Sequence, residues 1–395
     1  WTNHSCMVTT LKMKETKIGN RGSKSINTNF IVKEQRVDGS CIILPMLRCT
    51  LMGFEINSQI RTLSNQINLC AASEHLKRFL TSKAQQVNPS ILIEKQNIAR
   101  PVNPWALTGF IDGEGSFIMG ISKNKNKVGW QVKLEFWLSL HEGDKVLLEQ
   151  IQNYLGVGNI TKYSSNKLLD YRISSIKDLA NIIEHLDQYP LTTQKLADYK
   201  LFKEGYNLVI SKQHLTLSGL RKIIALKASM NLGLSDQLKT TFPDVIPKVR
   251  PLVINKTIAH PQWLAGFVSA EGCFFISIHK SLTIKIKVNV QLEFVLTQHL
   301  RDEFLIKSLI EYFNCGKAFR SNNVFRYRVT KFSDITGKII PFFKKYPIIG
   351  IKSKDFEDFC FVVEMMKVKK HLTPEGIEQI RKVKIGMNTG RDKSF

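Results

Sequence analysis

PWALTGFIDGEGSF, residues 104–117, returns as PQWLAGFVSAEGCF, residues 261–274. The shared frame is a proline, an apolar stretch holding a glycine, then Glu-Gly and an aromatic. Glu114 and Glu271 occupy the same place in each copy, 157 positions apart (271 − 114). A duplication carrying one carboxylate per copy predicts two half-sites that meet in one acidic site.

The repeat runs outward from this phrase. LEF at 134–136 returns at 292–294, followed by His141…Asp144 and His299…Asp302. YPLTTQKLADYKLF (189–202) matches YPIIGIKSKDFEDF (346–359), which aligns Lys195 with Lys352 and Asp198 with Asp355. HLTLSGLRKIIALKASMNLG (214–233) matches HLTPEGIEQIRKVKIGMNTG (371–390). Each half is therefore a unit of roughly 130 residues, the size of a domain.

The chain has 395 residues, enough for two or three domains. Its 57 Lys and Arg against 33 Asp and Glu leave a net charge of +24. Such an excess implies a polyanionic partner, nucleic acid first and a membrane surface second. No apolar run approaches the ~18 residues needed to span a bilayer, and no concentrated basic amphipathic helix favours a membrane surface. The seven cysteines include no CxxC pair, which argues against a disulfide framework and a structural zinc site and fits a reducing compartment. No signal-peptide pattern is present. A first residue of Trp reads as a fragment, a processed product or the continuation of an upstream frame.

The expected organisation is a leader over 1–100, polar and loosely packed or disordered, a first repeat over 101–233, a Pro-rich linker over 234–258 and a second repeat over 259–395. The fold class is α+β: two pseudo-symmetric αββαββα repeats, each with an antiparallel sheet. Asn103-Pro104 is a helix start, matched by Pro261, and Glu-Gly closes each helix with a glycine able to take a left-handed turn. Residues 129–140 alternate as a half-buried strand, with Trp130, Val132, Leu134, Phe136 and Leu138 inward. Residues 283–296 do the same, with Lys285, Lys287, Asn289, Gln291 and Glu293 outward.

Gly109 and Gly113, like Gly266 and Ala270, share one helix face at i, i+4 spacing. Small residues there let two backbones approach. Packed on each other, the motif helices would bring Glu114 and Glu271 to the same end, where the helix dipole disfavours negative charge. Two such carboxylates repel unless a cation sits between them, and Mg²⁺ prefers oxygen ligands. Paired acids holding metal beside a polyanion suit phosphodiester cleavage.

LTGFIDGEG (107–115) and LAGFVSAEG (264–272) resemble the signature motifs of the LAGLIDADG homing endonucleases, in particular the single-chain, two-repeat enzymes encoded in fungal mitochondrial introns. The resemblance covers about residues 101–390. It implies that the eighth motif residues, Glu114 and Glu271, are the catalytic metal-binding acids, and that Gly113 and Ala270 offer backbone carbonyls to metal. Lys195 and Lys352 would be the active-site lysines, acting on phosphate charge or on water. Gln291 would position water, with Lys133 at the aligned place in the first half. The sixth motif residue is Asp112 in one copy and Ser269 in the other, a departure that touches only a structural cap. The resemblance also implies a monomer with internal pseudo-two-fold symmetry, a mitochondrial location and a role in intron mobility.

The outward strand faces would form a saddle on DNA, since a two-stranded ribbon fits the major groove. Lys285, Lys287, Asn289 and Gln291 form one row, and Arg326 with Arg328 another. Lys123, Lys133, Arg172 and His279 complete the expected DNA-binding set. The expected function is a Mg²⁺-dependent, sequence-specific endonuclease that breaks both strands of a long asymmetric duplex, with steeply salt-dependent binding. The alternative is an RNA-binding maturase that assists splicing of its own intron RNA. Only the nuclease needs both Glu114 and Glu271. A non-catalytic DNA-binding regulator is disfavoured for the same reason.

Overall fold

The computed structural model describes residues 101–388, apart from 126–127, 163–166, 255–256, 259 and 283–285. The expected leader over 1–100 and Lys285 lie outside the described residues.

The first motif forms helix α1, Pro104–Glu114. Asn103 starts it by accepting the Ala106 amide at 3.2 Å, and Pro104 sits in the first turn, where its missing N–H costs nothing. Then come β1 (Gly115–Lys123), β2 (Trp130–His141), a 3₁₀ turn at Glu142–Asp144, α2 (Lys145–Leu155), β3 (Asn159–Lys162), β4 (Leu168–Ile173), α3 (Leu179–Gln188), α4 (Lys195–Ile210) and α5 (Leu217–Ala228). A short helix α6 (Asp236–Thr241) precedes the second lobe.

That lobe repeats the order: α7 (Pro261–Glu271), β5 (Gly272–Lys280), β6 (Val288–His299), a 3₁₀ turn at Leu300–Asp302, α8 (Glu303–Phe313), β7 (Lys317–Ser321) and β8 (Val324–Val329). Next are a wide turn at Ile335–Ile339 and α9 (Ile340–Lys345), whose Pro341 has no N–H for a regular helical ladder. Helices α10 (Lys352–Lys367) and α11 (Pro374–Ile385) close the described chain. Each lobe is the expected αββαββα unit followed by two further helices, the first opened by the matched lysine and the second terminal. The sheets are antiparallel in the orders β1-β2-β4-β3 and β5-β6-β8-β7.

One face of each sheet is buried under its helices. Phe117 and Phe136 pack with Tyr199 and Phe202 in the first lobe, and Phe274 and Phe294 with Phe343 and Phe359 in the second. The alternation that predicted these strands is the alternation that buries them.

Three expectations need correction. Gly115 and Gly272 are extended, at φ −69° and −75°, and pass straight into a strand instead of a left-handed turn. The glycine is needed for room: a Cβ at Gly115 would come 2.5 Å from Ile111 Cγ2. Second, β6 begins at Val288, and Lys287 sits in the preceding turn at φ 55°, so the outward row on that strand starts at Asn289. Third, the segment 234–258 contains α6. Ser235 caps it by accepting the Leu238 amide, and Leu238 and Phe242 are buried with Trp130, Leu220 and Ile224. From Phe242 to Ile254 the chain has neither helix nor strand, as its prolines require.

Candidate active site and nucleic-acid interface

The two motif helices are packed backbone to backbone. A Cβ at Gly109 would lie 1.9 Å from the Trp263 carbonyl oxygen, and one at Gly266 would lie 1.9 Å from that of Ala106. Further along, a Cβ at Gly113 would lie 2.2 Å from Ala270 Cβ. The helices therefore run side by side in one direction. At their start, Trp105 stacks on His260, ring centroids 5.4 Å apart and 11° from parallel.

This approach places the acids. Glu114 and Glu271 are the last residues of α1 and α7. The Cβ position at Gly113 lies 3.5 Å from Glu271 Oε1, so the Glu271 carboxylate rests against the end of the opposite helix, one residue from Glu114. Glu114 is only 4% exposed. The structure thus brings together Glu114, Glu271, Gly113 and Ala270.

The matched lysines meet the same helix ends. Lys195 Nζ donates to the carbonyls of Ile111 (2.9 Å), Gly113 (3.0 Å) and Gly115 (2.7 Å), and its side chain is buried. Lys352 Nζ donates to Ala270 O at 2.8 Å and Val268 O at 3.4 Å. A helix C-terminus carries unsatisfied carbonyls and partial negative charge, and an ammonium offsets both. Each lysine opens its own helix, α4 or α10. Both ammonium groups thus grip the carbonyls at the end of a motif helix, beside the acids.

Asp112 shows what an acid at the sixth motif position does here. Its carboxylate is buried and accepts the Thr192 amide (2.7 Å), the Thr193 amide (3.2 Å), the Thr193 hydroxyl (2.6 Å) and the Trp263 indole N–H (2.7 Å). Burial pushes its pKa up, against the pull of these donors and of the Lys195 charge. Ser269 does the corresponding work alone: its hydroxyl accepts the Ile349 amide at 2.9 Å and donates to Ala265 O at 2.7 Å.

The donor set suits a hard divalent ion. Among the described residues there is no group of three or more His, Cys, Asp and Glu side chains able to hold a metal. Two carboxylates and neighbouring carbonyls are all-oxygen ligands, and each carbonyl oxygen has a second lone pair beyond the one facing its lysine. Mg²⁺ binds in this manner, completing its shell with water and substrate phosphate.

The outward sheet faces carry the expected polar rows, with acids among them. Gln291 stands opposite Ser277, and Lys133 opposite Gly120, at equivalent places in the two sheets. Lys133 is exposed and pairs with Glu135 at 2.7 Å. The Arg172 guanidinium lies 3.9 Å above the Trp137 ring, between Glu135 and Asp170. Arg328 Nε pairs with Glu293 at 2.8 Å, and Arg326 shares its face opposite Thr297. His279 Nε2 is 3.1 Å from Asn289 Nδ2. Lys123 is exposed at the end of β1. Sequence reading placed Glu293 on this face without a role. It pairs with Arg328, Glu135 lies near Arg172, and the shared place of the two acids in the repeated LEF was the signal.

The model of the LAGLIDADG endonuclease family matches residues 107–206 and again 264–363. The chain is 44% identical over 391 residues to "Probable intron-encoded endonuclease 3" of Neurospora crassa, covering 96% of this chain and 72% of that protein. It is 38% identical over 298 residues to "Probable intron-encoded endonuclease 2" of the same organism, across 72% of this chain and 64% of the relative. Among solved structures, the I-SmaMI LAGLIDADG homing endonuclease bound to cleaved DNA is 47% identical with a TM-score of 0.72, covering 73% of this chain and 98% of that one. The LAGLIDADG meganuclease I-CpaMI bound to uncleaved DNA is 42% identical with a TM-score of 0.70, covering 73% and 99%. A duplicated motif, two pseudo-symmetric sheets and this likeness in sequence and fold agree: the chain belongs to the LAGLIDADG endonuclease family.

Proposed function

We propose that this chain is a homing endonuclease that makes a sequence-specific double-strand break in DNA, using Mg²⁺ held by Glu114 and Glu271. The observation that carries the reading is the close approach of Gly113 to Ala270, which lays the Glu271 carboxylate against the residue that precedes Glu114. Relatives solved on DNA support it, one of them with calcium ions present. Keeping both motif acids favours cleavage over the maturase reading.

In this account Glu114 and Glu271, with the carbonyls of Gly113 and Ala270, hold the ion. When bound, it supplies an activated water and stabilises charge on the phosphate oxygens. Lys195 and Lys352 fix the helix-end carbonyls and offset the negative charge gathered there. Gln291 orients water in one half-site, and Lys133 stands in its place in the other. Lys123, Lys133, Arg172, His279, Lys285, Lys287, Asn289, Arg326 and Arg328 bind the duplex, and Glu135 and Glu293 pre-orient their arginines toward base edges. Gln291 against Lys133 makes the half-sites chemically unequal, so the target is asymmetric.

The same proposal takes 101–233 and 259–395 as the two repeats, 234–258 as the linker and 1–100 as a leader. It places the protein in the mitochondrion, where it promotes intron mobility. Relatives named for an ND4 intron in Podospora anserina and for Cox1 in Schizosaccharomyces pombe support this. The test is incubation of the full chain with a randomised plasmid library. One recovered site cut on both strands with Mg²⁺, and none with EDTA, is expected. Absence of cutting alongside tight binding of the host intron RNA would replace this reading with the maturase.

A further inference from the structure

The repeated His-x-x-Asp turns, His141–Asp144 and His299–Asp302, have no part in the account above. Both follow the central strand of their sheet, and both are built alike. His141 Nδ1 accepts the Gly143 amide at 3.3 Å, and His299 Nδ1 accepts the Arg301 amide at 3.2 Å. Each histidine caps its turn and each aspartate leaves it, buried.

Both aspartates reach into the opposite lobe. Asp302 Oδ1 of the second lobe accepts the amide of Gln194 in the first at 2.8 Å. Asp144 Oδ1 of the first lobe accepts the amide of Ile351 in the second, also at 2.8 Å. Gln194 and Ile351 immediately precede Lys195 and Lys352, the residues that open α4 and α10. The contacts are close. Gly350, at φ 70°, leaves room for Asp144, whose Oδ1 would lie 2.6 Å from a Cβ there. The first amides of a helix lack partners within it, so an acceptor from outside fixes where the helix begins. The lysine at that point follows.

We propose that Asp144 and Asp302 are positioning residues acting across the lobe boundary: each sets the lysine of the opposite half-site. The inference rests on the reading of Lys195 and Lys352 as active-site residues. It gives the duplicated enzyme a coupling in which neither half-site is fully assembled unless the other lobe is docked. Removing one aspartate leaves its own lobe's lysine in place and loosens the other's. A displacement of about 1 Å in such a group costs up to about a hundredfold in rate.

The two sugar-phosphate backbones of a duplex are related by a two-fold axis whatever the base sequence, and the protein's pseudo-two-fold mimics it, so each half-site serves one strand. The test follows the two strands of the recovered target with separate end labels, under single turnover with Mg²⁺ and saturating full-length protein. Lys195→Met and Lys352→Met first identify the strand served by each lysine. Asp302→Ala is expected to slow the Lys195 strand about tenfold more than the other, and Asp144→Ala the Lys352 strand. Asp302→Asn and Asp144→Asn keep an oxygen acceptor and are expected to recover most of the loss. Should an alanine variant not fold, Asp302→Ser and Asp144→Ser, whose hydroxyls stop a bond short of the amide, give the same comparison. Equal slowing of both strands, or slowing of the strand served by the aspartate's own lobe, overturns the inference while leaving the lysine assignment standing. Wild-type rates on both strands for the lysine variants overturn the lysine assignment and the inference with it.

Discussion

The indole N–H of Trp263, on the second motif helix, donates to Asp112 Oδ2 on the first at 2.7 Å. Each Asp112 oxygen accepts two donors, from Thr193 twice on one side and from Thr192 and Trp263 on the other. One buried carboxylate thus joins α1, α7 and the approach to α4. Trp263→Phe is expected to cost about 1–3 kcal/mol, the range for a lost hydrogen bond to a buried charged group. Asp112→Asn is expected to cost at least as much, because its amide would face N–H donors with donors of its own. Urea denaturation of the variants measures both. Wild-type stability in Asp112→Asn would show that the cap is not a carboxylate cap.

Gly109 is required by distance, not by backbone conformation. Its Cβ would stand 1.9 Å from a backbone oxygen, which no side-chain rotation relieves. Gly109→Ala should force the helices apart and cost about 1–3 kcal/mol. Because the same contact sets the acids, cleavage should fall more than DNA affinity does. Equal losses in the two would separate the glycine from the site.

Asp302 gives a pH dependence. Burial pushes its carboxyl up from 3.8 to about 6, with the Gln194 amide and Arg301 pulling down and Asp112 adding repulsion. The folded state therefore holds this proton more tightly than the unfolded chain does. The group's contribution is fully present below its unfolded pKa and is lost as pH rises through about 6. The shift corresponds to roughly 3 kcal/mol. Denaturation from pH 4 to 7 should show wild type losing most of that relative to Asp302→Asn. Parallel pH profiles would contradict it.

Arg172, stacked on Trp137 and flanked by Glu135 and Asp170, is held in place before DNA arrives. Arg172→Ala should weaken binding by about 1–3 kcal/mol and relax base preference at one position, as the loss of a base-reading arginine does. Exposed Lys123→Ala should weaken binding evenly and reduce the salt slope by about one. Binding titrations at several salt concentrations distinguish the two, and an unchanged slope for both would remove them from the interface.

Much of this was legible from repetition. Matching offsets gave the lobes, and alternation gave the strands, because a sheet face buried under helices must repeat every second residue. What crosses between lobes was not legible. Asp302 meets Gln194 across 108 positions, and Asp144 meets Ile351 across 207, and nothing in either local pattern names the partner. The aligned Asp198 and Asp355 likewise found different partners. Arg250 clamps the first at 2.6 and 2.8 Å, and the Asn388 amide reaches the second at 3.2 Å. The lysines were found by alignment, but their donors' targets are carbonyls, which a side-chain sequence does not display. Helix α6 was hidden by the prolines after it, although Ser235 and the apolar pair Leu238 and Phe242 marked it.

The central claim is that one acid from each lobe makes a single metal-dependent centre, and Glu114→Gln and Glu271→Gln test it most directly. The measurement is Mg²⁺-dependent cleavage of the recovered target by each variant and by the double variant, beside their affinity for the same duplex. Loss of double-strand cleavage with binding retained is the expected result. Cleavage that persists in the double variant contradicts the account.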